Sequence, residues 1–191
     1  MPVPGVPAGG HTDEQALVEA ARALHDDAWA EIYRRHAEQV YAYIFYRIGD
    51  RAAAEDLAAD VFVRAIAGIR NYEWRGTPIL AWLYRIAHNV TADYRKALAK
   101  RSAREAAQAP EEIEERVDSL RALDERNDMM DAIRSLTDDQ QQVLILRFYG
   151  GMNNAQVSEA VGKPETAVKA LQARGLRSLR RILTDEDRRT A

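Results

Sequence analysis

The stretch that most constrains this chain is Asn154 to Leu183, NAQVSEAVGKPETAVKALQARGLRSLRRIL. Ala155, Val157, Ala160 and Val161 recur at the spacing of a short helix. Gly162 follows where a helix end takes a left-handed residue, and Pro164 suits the first turn of the next helix. Beyond it Val168, Leu171, Gly175, Leu179 and Ile182 share one face, while Lys169, Arg174, Arg177, Arg180 and Arg181 occupy the others. A short helix, a glycine turn and a longer basic helix are the parts of a helix-turn-helix, whose second helix enters the DNA major groove. An ordinary helical hairpin with a solvated basic face shows the same pattern, so the rest of the chain has to decide.

The remainder reads as helix throughout, with no sustained β alternation, so the expected fold class is all-α. Residues 1–11 are rich in Pro and Gly and read as disordered. Thr12 with Gln15 makes a capping box for a helix carrying Ala16, Leu17, Ala20, Ala21 and Leu24. Asp26 or Asp27 caps a second helix, with Trp29, Ile32, Tyr33 and His36 and then Val40, Tyr41, Ile44, Phe45 and Ile48 inward. Gly49 ends it and Asp50 caps the next, whose core face is Ala54, Leu57, Ala58, Val61, Phe62, Ala65 and Ile69. Asn71 to Pro78 is a loop, and Thr77 caps a long helix that has Pro78 at its first position. Its core stripe is Leu80, Leu83, Ile86, Ala87, Val90 and Tyr94. Met129, Met130, Ile133 and Leu136 resume the helical spacing, and Thr137 with Gln140 forms another capping box. The helix behind that box buries Val143, Leu144, Leu146, Phe148 and Tyr149, with the stem of Arg147. The expected helices are 13–24, 27–48 with a break allowed near 37, 51–69, 78–100, 124–135, 138–149, 154–161 and 165–183.

The net charge of −3 looks wrong for a nucleic-acid binder, but it conceals a division along the chain. Arg85 to Arg104 and Lys163 to Arg181 are mostly basic, whereas Glu105 to Asp131 is mostly acidic. Charge sorted into blocks points to different surfaces for different partners. The acidic interval, broken by Pro110, reads as a linker at 101–123. The divisions are then an extension at 1–25, a first domain at 26–100, the linker, a second domain at 124–185 and a tail at 186–191. Without cysteine there is neither a disulfide framework nor a thiolate metal site. No apolar run reaches membrane-spanning length and the N-terminus lacks a signal peptide's segments, so a cytoplasmic protein is expected.

Tyr72, Trp74 and Arg75 stand beside a glycine on the 71–78 loop. The following helix carries Trp82, Arg85, His88, Asn89, Arg95 and Lys96 off its core stripe. Aromatic rings to stack on and cations to follow phosphates are what single-stranded DNA requires, although Trp82 and His88 taken alone read first as packing or as part of a solvated helix face. The four His residues and the carboxylates show no metalloprotease, P-loop or nucleophile-elbow arrangement, so no enzyme and no cofactor is expected. Asp56 and Asp60 are spaced for a metal on one helix face, but no His or third carboxylate shares that face with them.

Three stretches together resemble a known family. AEDLAADVF (54–62) resembles its polymerase-binding helix, and AWLYRIAHNVTADYRK (81–96) its promoter-melting helix. Residues 136–180 resemble its fourth region, which ends in the helix-turn-helix. Each motif alone is moderately specific; the three in this order, separated by a charged linker, are far more so. The chain is thereby identified as resembling the bacterial RNA polymerase sigma factors of the extracytoplasmic-function type, the compact branch of the sigma-70 family.

The resemblance implies a dissociable promoter-specificity subunit built of two helical domains. The first would bind the clamp helices of the polymerase β′ subunit through Asp56, Leu57, Asp60, Val61 and Arg64. It would also capture the unpaired −10 strand through Tyr72, Trp74, Arg75, Trp82, Arg85, Asn89, Arg95 and Lys96. The second would sit on the β flap and read the −35 duplex through Thr166, Lys169, Ala170, Ala173, Arg174 and Arg177. Such proteins are commonly held silent by an anti-sigma factor. Ala59 stands where relatives usually carry Gln, and Ala167, Ala170 and Leu171 replace a usual Thr, Ser and Arg, so promoter preference does not carry over. A stand-alone helix-turn-helix regulator is the alternative. Against it, such regulators usually bind paired half-sites as dimers, and no dimer heptad is evident.

Overall fold

The computed structural model describes the backbone of residues 10–74, 76–108 and 128–190, and the side chains of 13–74, 76–104 and 129–184. Helices α1 (Gly10–Arg22), α2 (Asp26–Ile48), α3 (Arg51–Gly68) and α4 (Ile79–Gln108) form the first half. The second half comprises α5 (Asp128–Arg134), α6 (Asp138–Leu144), α7 (Asn154–Val161) and α8 (Glu165–Thr190). Among the described residues there is no strand.

Local chemistry explains most boundaries. Gly49 ends α2 at φ 76°, a conformation that carries no Cβ penalty in glycine. The Asp50 carboxylate caps α3 by accepting from the Ala53 amide at 3.0 Å. Gln140 reaches back to the Thr137 amide at 3.4 Å. Asn153 and Gln156 exchange two bonds of 2.9 Å at the start of α7, a capping box that lies one residue before the expected helix. Gly162 closes α7 at φ 66°.

Other caps differ from expectation. Helix α1 begins at Gly10, so Thr12 lies inside it rather than capping it. His25 occupies the N-cap of α2 without a side-chain bond, and Asp26 and Asp27 sit in the first turn, where carboxylates favour the helix dipole. Helix α2 runs unbroken through residue 37. At α4 the Ile79 amide is capped by the Glu14 carboxylate at 2.8 Å, and the Thr77 hydroxyl is turned to Glu159 instead. Helix α4 continues to Gln108, so the interval expected to start a linker at 101 begins as helix. Residues 109–127, which hold the rest of the acidic linker, lie outside the described residues.

The first half packs α2, α3 and α4 around Ile32, Val40, Ile44, Val61, Ile69 and Leu83, all fully buried. Burying each such aliphatic side chain stabilises the fold by about 1.5–3 kcal/mol. Helix α1 belongs to this half: Val18 and Ala21 are fully buried, and the Trp29 indole donates to the Ala21 carbonyl at 3.1 Å. Helix α1, from the stretch expected as an extension, thus packs into the core of this half. Tyr43 and Tyr84, which apolar periodicity alone did not single out, are fully buried with ring centroids 5.0 Å apart. Tyr33 is 55% exposed rather than inward, resting edge-on against Phe62.

In the second half the chain departs from α geometry at Ile145–Tyr149, a π-helical turn in which the Gly150 amide bonds to the Ile145 carbonyl. The wider turn inserts a residue into the α period and rotates the residues beyond it. Val143, Leu144, Ile145 and Leu146 are buried, but Phe148 is 62% exposed and Tyr149 39%, against the expectation that both face inward. A Cβ at Gly150 would lie 2.8 Å from the Leu146 carbonyl oxygen and 3.1 Å from the Tyr84 hydroxyl. Backbone cannot yield as a flexible side chain can. Gly150→Ala should therefore destabilise the protein by about 1–3 kcal/mol in chemical denaturation, the usual penalty of overpacking. Unchanged stability would mean the π turn relaxes freely.

Candidate polymerase and nucleic-acid interface

Helix α3 presents a mixed outer face. Asp56 is exposed, Leu57 is half-buried, and Asp60 pairs with Arg64 at 2.9 Å across one turn. Val61 is fully buried, so it supports this face from beneath and offers no surface to a partner. Helical periodicity alone assigns it to both the core and the outer face. Val63 and Ile66, which the apolar stripe does not include, are 64% and 44% exposed on the same helix. Large aliphatics left in water on a charged helix are characteristic of a surface awaiting a partner.

The aromatic loop and α4 meet at a recess lined by Asn71, Tyr72, Thr77, Trp82, Arg85 and Glu159. The Tyr72 and Trp82 rings lie 4.7 Å apart, tilted by 33°. Trp74 is half-buried beside the first-half core, and Asn89, Arg95 and Lys96 are exposed further along α4. Arg75, also expected at this surface, lies outside the described residues. Burial chiefly, with the Glu14 and Glu159 carboxylates adding to it, pushes the Tyr72 phenol up to about 12. Tyr72 therefore remains a neutral hydrogen-bond donor near neutral pH.

On α8 the inward residues are Val168 and Gly175, both buried, with Leu171 and Leu179 half-buried. Gly175 lets α8 approach α6 closely, because a Cβ there would meet Leu144 Cδ1 at 2.9 Å. Thr166, Lys169, Ala173, Arg174 and Arg177 are exposed and Ala170 is half-exposed, so these six form one outward surface. Lys169 is loosely held by Glu165 at 3.9 Å, and Arg174 Nε turns back to the Ala170 carbonyl at 3.3 Å.

The two halves also touch each other. The Arg85 guanidinium donates to the Glu159 carbonyl at 2.6 Å, and Thr77 donates to the Glu159 carboxylate. Asp138 accepts from Arg47 and, at 3.0 Å, from Arg95, and its second oxygen lies 3.8 Å from His88. Arg47 is completely buried, and it also donates to the Tyr43 hydroxyl at 3.3 Å. Burial above all, then the Arg47 charge, lowers the His88 imidazole below its ordinary value, although Asp138 opposes the shift. Arg47, Asp138 and Glu159 were not singled out from the sequence. Arg47 had left a signal, since it falls one turn beyond Tyr43 and Ile44 on a face that is otherwise apolar.

Among the described residues no three His, Cys, Asp or Glu side chains converge as a metal site, and no helix is long and apolar enough to cross a membrane. The architecture thus defines a helical protein of the helix-turn-helix class, with a second helical unit bearing an aromatic recess and a basic helix. Sequence comparison gives the particular family. Residues 32–101 match the family model described as Sigma-70 region 2, and residues 132–181 match that of Sigma-70, region 4. The chain belongs to the sigma-70 family and is a sigma factor of the extracytoplasmic-function type. It is 37% identical to the ECF RNA polymerase sigma factor BldN of Streptomyces coelicolor over 90% of its own length, and spans 66% of the length of that relative. Its fold resembles that of CnrH in complex with the cytosolic domain of CnrY, at a TM-score of 0.67 and 20% identity over 90% of this chain and 97% of CnrH. It also resembles the sigma factor RpoE bound to the anti-sigma factor NepR from Bartonella quintana, at a TM-score of 0.62 and 20% identity over 81% of this chain and 96% of RpoE.

Proposed function

We propose that this chain acts in the cytoplasm as a dissociable specificity subunit of RNA polymerase, bringing the core enzyme to promoters and holding the −10 strand once it is open. It performs no chemistry of its own. The observation that carries the reading is the recess beside α4, where the Tyr72–Trp82 ring pair stands next to the Arg85 guanidinium. An unpaired base stacks on an aromatic face for about 1–3 kcal/mol while a neighbouring cation holds its phosphate. A duplex reader has no use for such a recess, which favours this reading over a stand-alone regulator. The outer face of α3 then meets the β′ clamp helices, and the second half sits on the β flap with the outward residues of α8 toward the −35 duplex. An anti-sigma factor is the expected partner in the silent state, as NepR is of the RpoE protein from Bartonella quintana.

Reconstitution with core polymerase tests the whole reading. The chain should confer promoter-specific initiation on core enzyme and should retain duplex DNA weakly when core is absent. Tight duplex binding without core, together with no stimulation of initiation, would make it a free-standing regulator. Within this scheme Trp74→Ala should reduce open-complex formation on duplex promoters by about tenfold, within the range of one base-stacking contribution. A template carrying a pre-melted bubble should suffer less. Equal losses on both templates would assign Trp74 to folding.

A further inference from the structure

Asp138 sits in a site that looks built for an anion. Arg47 and Arg95 both donate to its Oδ1, from two different helices, and His88 faces its Oδ2. Two guanidinium groups therefore converge on one carboxylate, leaving a cationic surplus. Arg47 is fully buried, and its guanidinium reaches from α2 to the other half of the molecule, with the Tyr43 hydroxyl beneath it. A fully buried cation is held in place only if an anion meets it. Here that anion comes from the helix-turn-helix half, through a side chain that remains 47% exposed. The same half covers Arg85 and Thr77 through Glu159. These contacts occupy cations and donors on and beside the α4 surface where the opened strand would lie.

We infer that Arg47, Arg95 and His88 form a binding site for a backbone phosphodiester of single-stranded DNA, and that the Asp138 carboxylate occupies this site while the two halves are packed together. The inference rests on the −10 assignment and adds to it a site on α2, a helix that the assignment does not use. A phosphate offers the same pair of oxygens to an arginine fork as a carboxylate does. Asp138 is thus an internal competitor: DNA enters as the halves separate, and separation is favoured wherever DNA is present. Among the described residues the buried Tyr84 hydroxyl, against Gly150 of the second half, has no hydrogen-bond partner, a loss that disfavours this packing. Salt should loosen the exposed Arg95–Asp138 pair, while the apolar contacts the halves share, Tyr46 on Tyr149 among them, remain.

The test uses the full chain and a fluorescent random-sequence single-stranded DNA, with inorganic phosphate as a second probe. Asp138→Ala should expand the protein in small-angle scattering and tighten DNA binding by about tenfold if about a tenth of the unaltered molecules are open. Adding Arg47→Met to Asp138→Ala should abolish that gain, with the helical circular dichroism of both variants confirming that they fold. Millimolar phosphate should compete only weakly, since a single anion lacks the stacking and the neighbouring phosphates of a strand. If Asp138→Ala leaves DNA affinity unchanged, or if the gain survives Arg47→Met, the site is not a phosphate site. If the gain appears in affinity for core polymerase and not for DNA, the cationic cluster serves a protein carboxylate and the proposal is overturned. Trp82→Ala in the Asp138→Ala background separates this failure from that of the −10 assignment. Binding that falls with Trp82→Ala but ignores Arg47→Met leaves the recess standing without the anion site. Binding that ignores both removes the recess as well.

Discussion

Replacing Asp56 and Asp60 together by Ala is expected to lower the affinity of the chain for core RNA polymerase by about ten- to thirtyfold, taking about 0.7–1 kcal/mol per exposed interfacial charge. Folding should hardly notice. Asp56 is exposed, and the Asp60–Arg64 pair is a solvated one-turn ion pair, a class worth about 0.3–0.5 kcal/mol. Structure adds a companion variant that sequence did not suggest. Val63→Ser with Ile66→Ser removes exposed apolar surface from the same helix and should weaken core binding again without a fall in melting temperature. Val61 is unsuitable for this purpose: it is fully buried, so its substitution would confuse folding with binding. Equilibrium titration of labelled core enzyme distinguishes the cases. Unaltered affinity in both double variants would move the polymerase interface off α3.

The other large effect concerns the −35 duplex, where two exposed cations of α8 should behave differently. Lys169 lies in the amino-terminal half of α8, the part that a recognition helix sets against base edges. Among the described residues its amine meets Glu165 at 3.9 Å, too loosely to hinder it. Lys169→Ala should relax preference at one or two positions and cost about 1–3 kcal/mol on the preferred sequence, as loss of a guanine contact does. Ala170 and Ala173 beside it add only apolar contact, for example to a thymine methyl. Arg177 stands two turns further on, exposed, where phosphate is the natural partner. Arg177→Ala should weaken all sequences alike and reduce the salt dependence by about one counterion. Competition binding over a promoter library in holoenzyme separates the two. Uniform weakening by Lys169→Ala would place its amine on phosphate.

How far the sequence reached can be judged residue by residue. Gly49, Asp50, Gly162 and the Thr137–Gln140 pair announced the ends of helices, because caps are chemistry between neighbours a few residues apart. The outward row of α8 was equally legible, since 3.6-residue periodicity alone separates Lys169 from Val168. Phe148 and Tyr149 were misplaced because a π-helical turn alters the period, and the deciding bonds, Gly150 to Ile145 and Met152 to Leu146, belong to a local conformation that no apolar pattern encodes. Glu14 was missed as the cap of α4 because it comes from a helix 65 residues earlier.

The sequence by itself determined the all-α class, the positions of the helices and the glycine turn of the helix-turn-helix. It also determined the family, because three spaced motifs survive in order. All of these rest on interactions within a few turns of one chain or on pattern along it. Only the tertiary structure decided that α1 belongs to the first core, that Val61 lies beneath the α3 surface rather than on it, and that Arg47 is buried against Asp138. Asp138 lies 91 residues from Arg47, and their pairing depends on how two half-molecules pack. Periodicity reports which side of a helix is apolar. It carries no information on which distant side chain that face will meet, and for a charged group the identity of that partner sets whether it is an idle surface residue or the wall of a binding site.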